Sequence, residues 1–473
     1  MEKLPVELLQ SICAALCPHC QDPSAVARRS SNQRSLANLS QASSWCRAVA
    51  QPFVFHQFLT ADMYYIELSW GLRIPTSTSR GALALFMRSL ADRPDLAPHV
   101  GSLHLVKCHM CPNSLDFDKE PIRTVLDRFA SETAMDTGYS NPFLARYAEY
   151  DRLVRMAVLR CPNLKSLTLT RWNNFGVFYD LDMGTFPLLT SLSLKGDEEA
   201  ASFHILDAVK LFAAAPNLEV LYADGCGLRG WPPHNPVRPF DLPLGNLRKL
   251  SIRTLEFGDL LMLLPSCPQI QELKYDPPFH PDNTPKPNAL QVLRPVQSTL
   301  RTLCIQTDPK VSPASPPELV VETPIQSFKN FPALQALTAD YSAVNFPASP
   351  AARCAGLVDW LPPSIEKVFF RYVPPSHLAR FLDLLSALAL DAPRSLPRLR
   401  SVCITVGIRR QGIWEHLPAF KPALARVRAE FEQAGITFYR ADWTLAPAPD
   451  EPPTRPGSGP VDMTPTSRSV SDG

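Results

Sequence analysis

Two hydrophobic rhythms alternate along the chain. One is helical. In "DRLVRMAVLR" (151–160), "FHILDAVKLFAAA" (203–215) and "HLARFLDLLSALAL" (377–390), apolar residues recur every three or four positions. The other is a short phrase, apolar–x–x–apolar–x–apolar, as in "CPNLKSLTLT" (161–170), "FPLLTSLSLK" (186–195), "APNLEVLYAD" (215–224) and "LPRLRSVCIT" (396–405). Its end alternates with period two, as a half-buried strand does. The middle apolar residue falls at Leu103, Leu167, Leu192, Leu221, Leu250, Leu273, Leu303, Leu337, Val368 and Val402. After a first gap of 64, these positions stand 23 to 34 residues apart.

Apolar residues make up 45% of the chain, so any one such triplet has roughly a 9% chance of arising blindly. Ten in order at near-constant spacing do not arise that way. Eight of them carry proline two residues before the first apolar position: Pro98, Pro162, Pro187, Pro216, Pro268, Pro332, Pro363 and Pro397. Proline cannot continue a helix, and it biases the preceding residue toward extended geometry. Each unit therefore reads as helix, proline stop, strand. A unit of this size cannot bury its own apolar face, so stacked neighbours must do so. The expected fold class is α/β, a solenoid with parallel strands on its concave face and helices on its convex face. The triplets form its core. The residues between them face outward, and Tyr222, Arg253, Lys274, Phe369 and Arg371 are the candidate contacts for a bound protein, because aromatics and arginines dominate interface energetics.

The first 60 residues follow the helical rhythm alone. In "LPVELLQSICAAL" (4–16), Leu4, Leu8, Leu9, Ile12 and Leu16 share a helical face opened by Pro5. In "RSLANLSQASSWCRAVAQPFVFHQF" (34–58), Leu36, Leu39, Cys46, Val49 and Ala50 form a second stripe, expected to end at Pro52. Two or three short helices make a thin bundle that a partner could stabilise.

These residues carry a resemblance. L-P-x-E-L-L-x-x-I, followed by L-x-x-L-x-x-A-S-x-x-C-R-x-V-A-x-P, looks like an F-box. Leu4, Pro5, Glu7, Leu8, Leu9 and Ile12 match its first helix, and Leu36, Leu39, Cys46, Arg47, Val49, Ala50 and Pro52 match its later part. An insertion at about 17–33 departs from the compact form. The stretch, with its "LCPHC", is similar to F-box proteins of filamentous fungi. The downstream array resembles leucine-rich repeats, with most of the usual asparagines missing. The resemblance implies a substrate-receptor subunit of a Skp–cullin–F-box ubiquitin ligase. Residues 1–60 would dock on a Skp-type adaptor, and through it a cullin, using Leu4, Pro5, Leu8, Leu9, Ile12, Leu36, Leu39, Val49 and Pro52. Residues 95–440 would present a target protein. The alternative is a non-catalytic scaffold that binds partners without directing ubiquitination.

Composition changes this picture little. The chain has 473 residues and a net charge of +2, which favours neither nucleic acid nor an anionic membrane. Proline is the outlier, with 49 residues against 19 glycines, and many of its positions are fixed points in the pattern described above. No run of 18 apolar residues suggests a membrane span. Pro5, Glu7 and Gln10 interrupt any signal-peptide core, so a mature intracellular protein is expected, cytoplasmic and/or nuclear. The tail 446–473, rich in Pro, Ser and Thr, reads as disordered, and the Pro-rich stretches 277–287 and 309–324 read as loops.

Candidate chemistry is sparse. The 12 cysteines sit mostly in apolar contexts and read as reduced and structural. Cys17-Pro-His-Cys20, with Cys13 nearby, has metal-ligand spacing, but the second C-x-x-C, Cys108-His-Met-Cys111, is too far away for a zinc ribbon. A turn packed with thiols is therefore expected, with no metal and no cofactor. "GCGLRG" (225–230) matches a dinucleotide fingerprint without a following helix, because "WPPHNP" comes next. No nucleophile elbow, metalloprotease or phosphate-loop motif is present, and no catalysis is expected.

Overall fold

The computed structural model describes residues 4–17, 19–20, 29–59, 65–67, 73–75, 78–106, 142–170, 178, 182–196, 203–227, 242–253, 255, 257–276, 289–306, 327–341, 356–406 and 420–440. The tail, both Pro-rich stretches, Cys108 and Cys111 lie outside the described residues.

Three helices open the chain: α1 (Val6–Leu16), α2 (Arg29–Ala42) and α3 (Ser44–Phe55). Ser43 separates the last two. Its side chain accepts a hydrogen bond from the Cys46 N–H at 3.0 Å and caps α3. Pro52 does not end this helix, which continues to Phe55. Proline inside a helix forgoes the N–H that would reach the carbonyl four residues back, here Ala48, and α3 continues for three residues despite that loss.

Strands follow in the order β1 (Gln57–Leu59), β2 (Tyr65–Glu67), β3 (Arg73–Pro75), β4 (Ser102–Val106), β5 (Ser166–Thr170), β6 (Ser191–Lys195), β7 (Phe203–His204), β8 (Val220–Asp224), β9 (Cys226–Gly227) and β10 (Lys249–Arg253). They continue with β11 (Glu272–Asp276), β12 (Thr302–Ile305), β13 (Ala336–Asp340), β14 (Lys367–Val373), β15 (Ser401–Val406) and β16 (Thr437–Arg440). Twelve of them form one sheet in the order β1-β4-β5-β6-β8-β10-β11-β12-β13-β14-β15-β16. All eleven pairings are parallel. β2 pairs with β3, and β7 with β9, outside it. The chain is thus α/β, with an all-parallel sheet compatible with a solenoid.

The register is that of the sequence phrase. Leu103, Leu167, Leu192, Leu221 and Leu250 lie directly opposite one another on successive strands. Leu273, Leu303, Leu337, Val368 and Val402 continue the row. Phe58 of β1 and Phe438 of β16 extend it at the two ends. A one-residue slip would turn this whole buried row to the other face, which is why the register is so uniform.

The turn before each strand repeats as well. Leu164 N–H donates to the Cys161 carbonyl, Leu189 to Phe186, Leu218 to Ala215 and Leu247 to Leu244, at 3.0–3.2 Å. The carbonyl just ahead of each strand then accepts two successive N–H groups from the next unit. His56 accepts from Gly101 and Ser102, Gly101 from Lys165 and Ser166, and the series runs on to Glu366, which accepts from Arg400 and Ser401. Side chains reinforce it. The Asn163, Asn217 and Asn246 amides donate to the Pro98, Pro187 and Pro216 carbonyls of the preceding unit at 2.8–2.9 Å. The repeated prolines therefore offer acceptors as well as stops. Pro98 itself lies within a short 3-10 turn, Pro94–His99.

Helices cover one side of the sheet. Pro142–Leu159, Val209–Ala214, Phe257–Leu263, Ala289–Leu293 and Pro375–Ser395 alternate with the strands, and their apolar sides join one continuous core. That core begins before residue 95. Helix Thr78–Asp92 contributes Leu83, Phe86, Met87 and Leu90, and Phe58 stacks on Phe86 at 4.0 Å. At the far end, helix Lys421–Gln433 closes the core with Phe431 stacked on Phe438 at 5.3 Å. A second, much smaller core of Leu9, Cys13, Cys17, Leu36 and Ala50 holds α1–α3 together. No described helix is long and apolar enough to cross a membrane.

Candidate functional site

Three features of this scaffold can carry function: an apolar face of α1, the open face of the sheet, and a cluster of sulfur and imidazole groups between them.

On α1 the sequence suggested one apolar stripe. The structure resolves it into two. Leu9, Cys13 and Cys17 turn inward against Leu36 and Ala50. Leu4, Leu8 and Ile12 turn outward, and Leu4 and Leu8 keep 47% and 48% of their surface exposed. Helical geometry explains the split, since Leu8 and Leu9 are about 100° apart around the axis. Of the candidate docking residues, Leu4, Pro5, Leu8 and Ile12 are accessible and Leu9 and Leu36 are not. Leu39, Val49 and Pro52 are half-buried. Because Leu4, Leu8 and Ile12 are themselves already about half buried, covering them on a partner would contribute about 0.7–1.5 kcal/mol each, before the cost of association.

The open face of the sheet carries the alternate residues. One row runs through His104, Thr168, Ser193, Tyr222, Ser251, Lys274, Cys304, Thr338, Phe369, Cys403 and Tyr439, each opposite the next. Tyr222 and Tyr439 are exposed, as is Lys274. Phe369 is half-buried. Neither Tyr222 nor Lys274 has an ion pair among the described residues.

The row beyond it is charged and largely self-satisfied. Lys195, Asp224, Arg253 and Asp276 stand side by side with alternating sign. Arg253 Nε lies 3.0 Å from the Asp276 carboxylate, and its Nη1 lies 3.6 Å from that of Asp224. Arg371 likewise pairs with the fully buried Asp340 at 3.6 Å and lies over the Tyr372 ring at 4.7 Å. Tyr372 has a φ of 55°. This left-handed backbone sits where the β14–β15 register shifts, and the Tyr372 N–H donates to Thr405 Oγ1 at 3.1 Å. The five candidate contacts thus divide. Tyr222 and Lys274 are presented outward and Phe369 partly so, whereas Arg253 and Arg371 are held by neighbouring carboxylates. Tyr372 and Tyr439 were not among the sequence candidates. The former depends on a bulge, and the latter lies on a strand that lacks the proline signal.

Between α1 and the first strands, Cys17, His19, Cys20 and His56 place one ligand-capable atom each within 4.8 Å of one another. Cys20 Sγ is 3.3 Å and Cys17 Sγ 3.6 Å from His56 Nδ1, and Cys20 Sγ is 4.0 Å from His19 Nδ1. Cys13 lies in the helical core and is not part of the group. The expectation of a simple thiol-packed turn rested on Cys108 and Cys111 as the only possible second pair. In the structure both further groups are histidines, one inside the C-x-x-C and one at the end of α3.

Burial disfavours the charged forms of Cys20, His56 and His19. Burial pushes the Cys20 thiol up to about 11, helped by Cys17, and brings His56 down to about 4, helped by His19, His99 and Lys165. Burial also lowers His19. Elsewhere burial alone pushes Cys161 and Cys267 up to about 12, so these are inert core thiols. None of the nine described cysteines is in a disulfide.

No protein-family model matches the chain, and no curated protein is significantly similar to it.

Proposed function

We propose that the chain is an F-box protein whose repeats are leucine-rich, acting as a substrate-recognition adaptor of a cullin–RING ubiquitin ligase. The observation that supports this most directly is the outward apolar face of α1. The three-helix unit completes its own small core with Leu9, Cys13, Cys17, Leu36 and Ala50, yet leaves Leu4, Leu8 and Ile12 exposed. Exposed apolar side chains grouped at the start of one short helix and just ahead of it mark an interaction surface. They belong to the L-P-x-E-L-L phrase whose resemblance implies a Skp-type adaptor as the partner.

In this reading the sheet presents the target. Tyr222, Lys274 and Phe369 make the contacts, and the paired Arg253 and Arg371 stiffen the face around them. The chain supplies binding and no chemistry; ubiquitin transfer is done by other subunits, in the cytoplasm and/or nucleus.

The test is co-purification of the full chain with a Skp-type adaptor and cullin. Leu8→Asp puts a charge into the proposed contact, where burying it unpaired costs several kcal/mol, enough to lose a submicromolar complex. Because Leu8 is exposed, the variant should keep the wild-type fold by circular dichroism. A folded Leu8→Asp chain that retains the adaptor refutes the docking surface. Retention of the adaptor without cullin would instead support a scaffold that does not direct ubiquitination.

A further inference from the structure

We propose that Cys17, His19, Cys20 and His56 form a structural Zn²⁺ site that fastens the helical unit to the first strand of the sheet. The inference is independent of the ubiquitin-ligase reading.

Geometry carries it. In a tetrahedral zinc site the Zn–S bond is about 2.3 Å and the Zn–N bond about 2.0–2.1 Å, so ligand atoms stand about 3.3–3.8 Å apart. The Cys20–His56 and Cys17–His56 distances of 3.3 and 3.6 Å match such edges, Cys20–His19 at 4.0 Å is slightly longer, and all four atoms fall within 4.8 Å of one another. Thiol–imidazole hydrogen bonds account for a pair of groups. They give no reason for two thiols and two imidazoles to converge on one point.

The donor set selects the ion. Two sulfurs and two nitrogens in a tetrahedron suit zinc, whereas magnesium and calcium require oxygen ligands. Binding deprotonates both thiols and releases two protons to solvent. The two thiolates then balance the 2+ charge, and the imidazoles bind as neutral ligands. All four positions are filled by protein, which makes the site closed and structural rather than catalytic.

The fold is arranged around it. The Cys20 N–H donates to the Cys17 carbonyl at 3.1 Å, making a turn that brings both sulfurs to one side. His19 lies against Gly101, where an added Cβ would fall 2.7 Å from His19 Nε2. Glycine at that point leaves the ring its place. His56 carries the strongest argument. Its side chain faces the sulfurs, and its carbonyl accepts the Gly101 and Ser102 N–H groups, each at 3.0 Å, as the first of the double-acceptor carbonyls. An ion held by His56 therefore ties the end of α1 to the start of the sheet. Among the described residues the core of α1–α3 has five buried members, and a unit that small gains most from a bound metal.

The experiment uses the full chain purified under reducing conditions. Elemental analysis should find one zinc per chain. Cobalt substitution should produce the visible absorption of a tetrahedral thiolate site. Cys20→Ala should abolish both, and Cys46→Ala, which alters a thiol outside the group, should retain both. If Cys20→Ala fails to fold, the cobalt spectrum of the wild-type chain decides alone. A folded wild-type chain without zinc and without that spectrum overturns the proposal, as does zinc that persists in Cys20→Ala. Removing zinc should accelerate hydrogen exchange at Gly101 and Ser102 and leave Arg248 and Lys249 unchanged. Unchanged exchange at Gly101 and Ser102 would show that any bound ion does not fasten the two units.

Discussion

Truncating Leu250 to alanine tests the alternation at the centre of the sheet. Leu250 is fully buried in β10, with Leu221 of β8 on one side and Leu273 of β11 on the other. The change removes three carbon atoms from the core, about 2.4 kcal/mol of transfer free energy at about 0.8 kcal/mol each. Leu221 and Leu273 cannot move in to fill the space, because their own strands are held by backbone ladders on both sides. A residual cavity therefore adds to the loss, and the total should fall within about 2–5 kcal/mol. Ser251→Ala, one residue along and on the open face, should cost less than about 0.5 kcal/mol. Urea titration followed by circular dichroism compares the two through their midpoints, provided the slopes agree. Because stacked units can unfold in stages, hydrogen exchange across β8, β10 and β11 supplies a local reading. Equal midpoints, or a larger loss for Ser251→Ala, would refute the assignment of faces.

Two further outcomes follow from close contacts and from the open face. Gly196→Ala places a Cβ 2.8 Å from the Gly225 carbonyl oxygen, next to a glycine whose φ of 71° side chains rarely adopt, so it should destabilise by about 1–3 kcal/mol in a thermal melt; a melt like the wild type would mean that this backbone approach can relax. Tyr222→Ala combined with Lys274→Ala should stabilise the target in cells while leaving adaptor binding intact, whereas deletion of 446–473 should not; target loss that depends on the tail alone would move recognition off the sheet.

The periodic part of the molecule was readable in advance because one physical cause acts at every repeat. Proline stops the helix, three apolar positions fill the core, and all ten predicted centres occupy one buried row. β1 and β16 escaped because Phe58 and Phe438 take that position without the proline. Their burial is settled by aromatic stacking at the two ends of the array. The grouping of Leu8 with Leu9 failed for a different reason. A stripe as wide as theirs fits a helix buried on one side or on two, and only the position of α2 and α3 decides. The convergence of His56 on Cys17 and Cys20 was hidden by sequence distance. It depends on where α3 ends relative to α1, which no local spacing encodes. Pro52 shows the limit of reading proline as punctuation: it lies inside α3, which runs on to Phe55.

The double-acceptor carbonyls turn the sheet into a ruler whose divisions ignore the length of chain between them. Whether 64 residues or 23 separate two strand centres, the next strand still docks one hydrogen-bonded step away. At about 4.8 Å per step, the eleven pairings span about 53 Å. Tyr222 on β8 and Phe369 on β14 are five steps apart, or about 24 Å. Lengthening a connecting segment changes neither distance and costs only about 0.6 kcal/mol for each doubling. The chain can therefore vary what projects at its rims while keeping the separation of its aromatic positions constant. A ligand that touches both must match that span: a folded surface, or an extended segment of roughly seven residues at about 3.3 Å each.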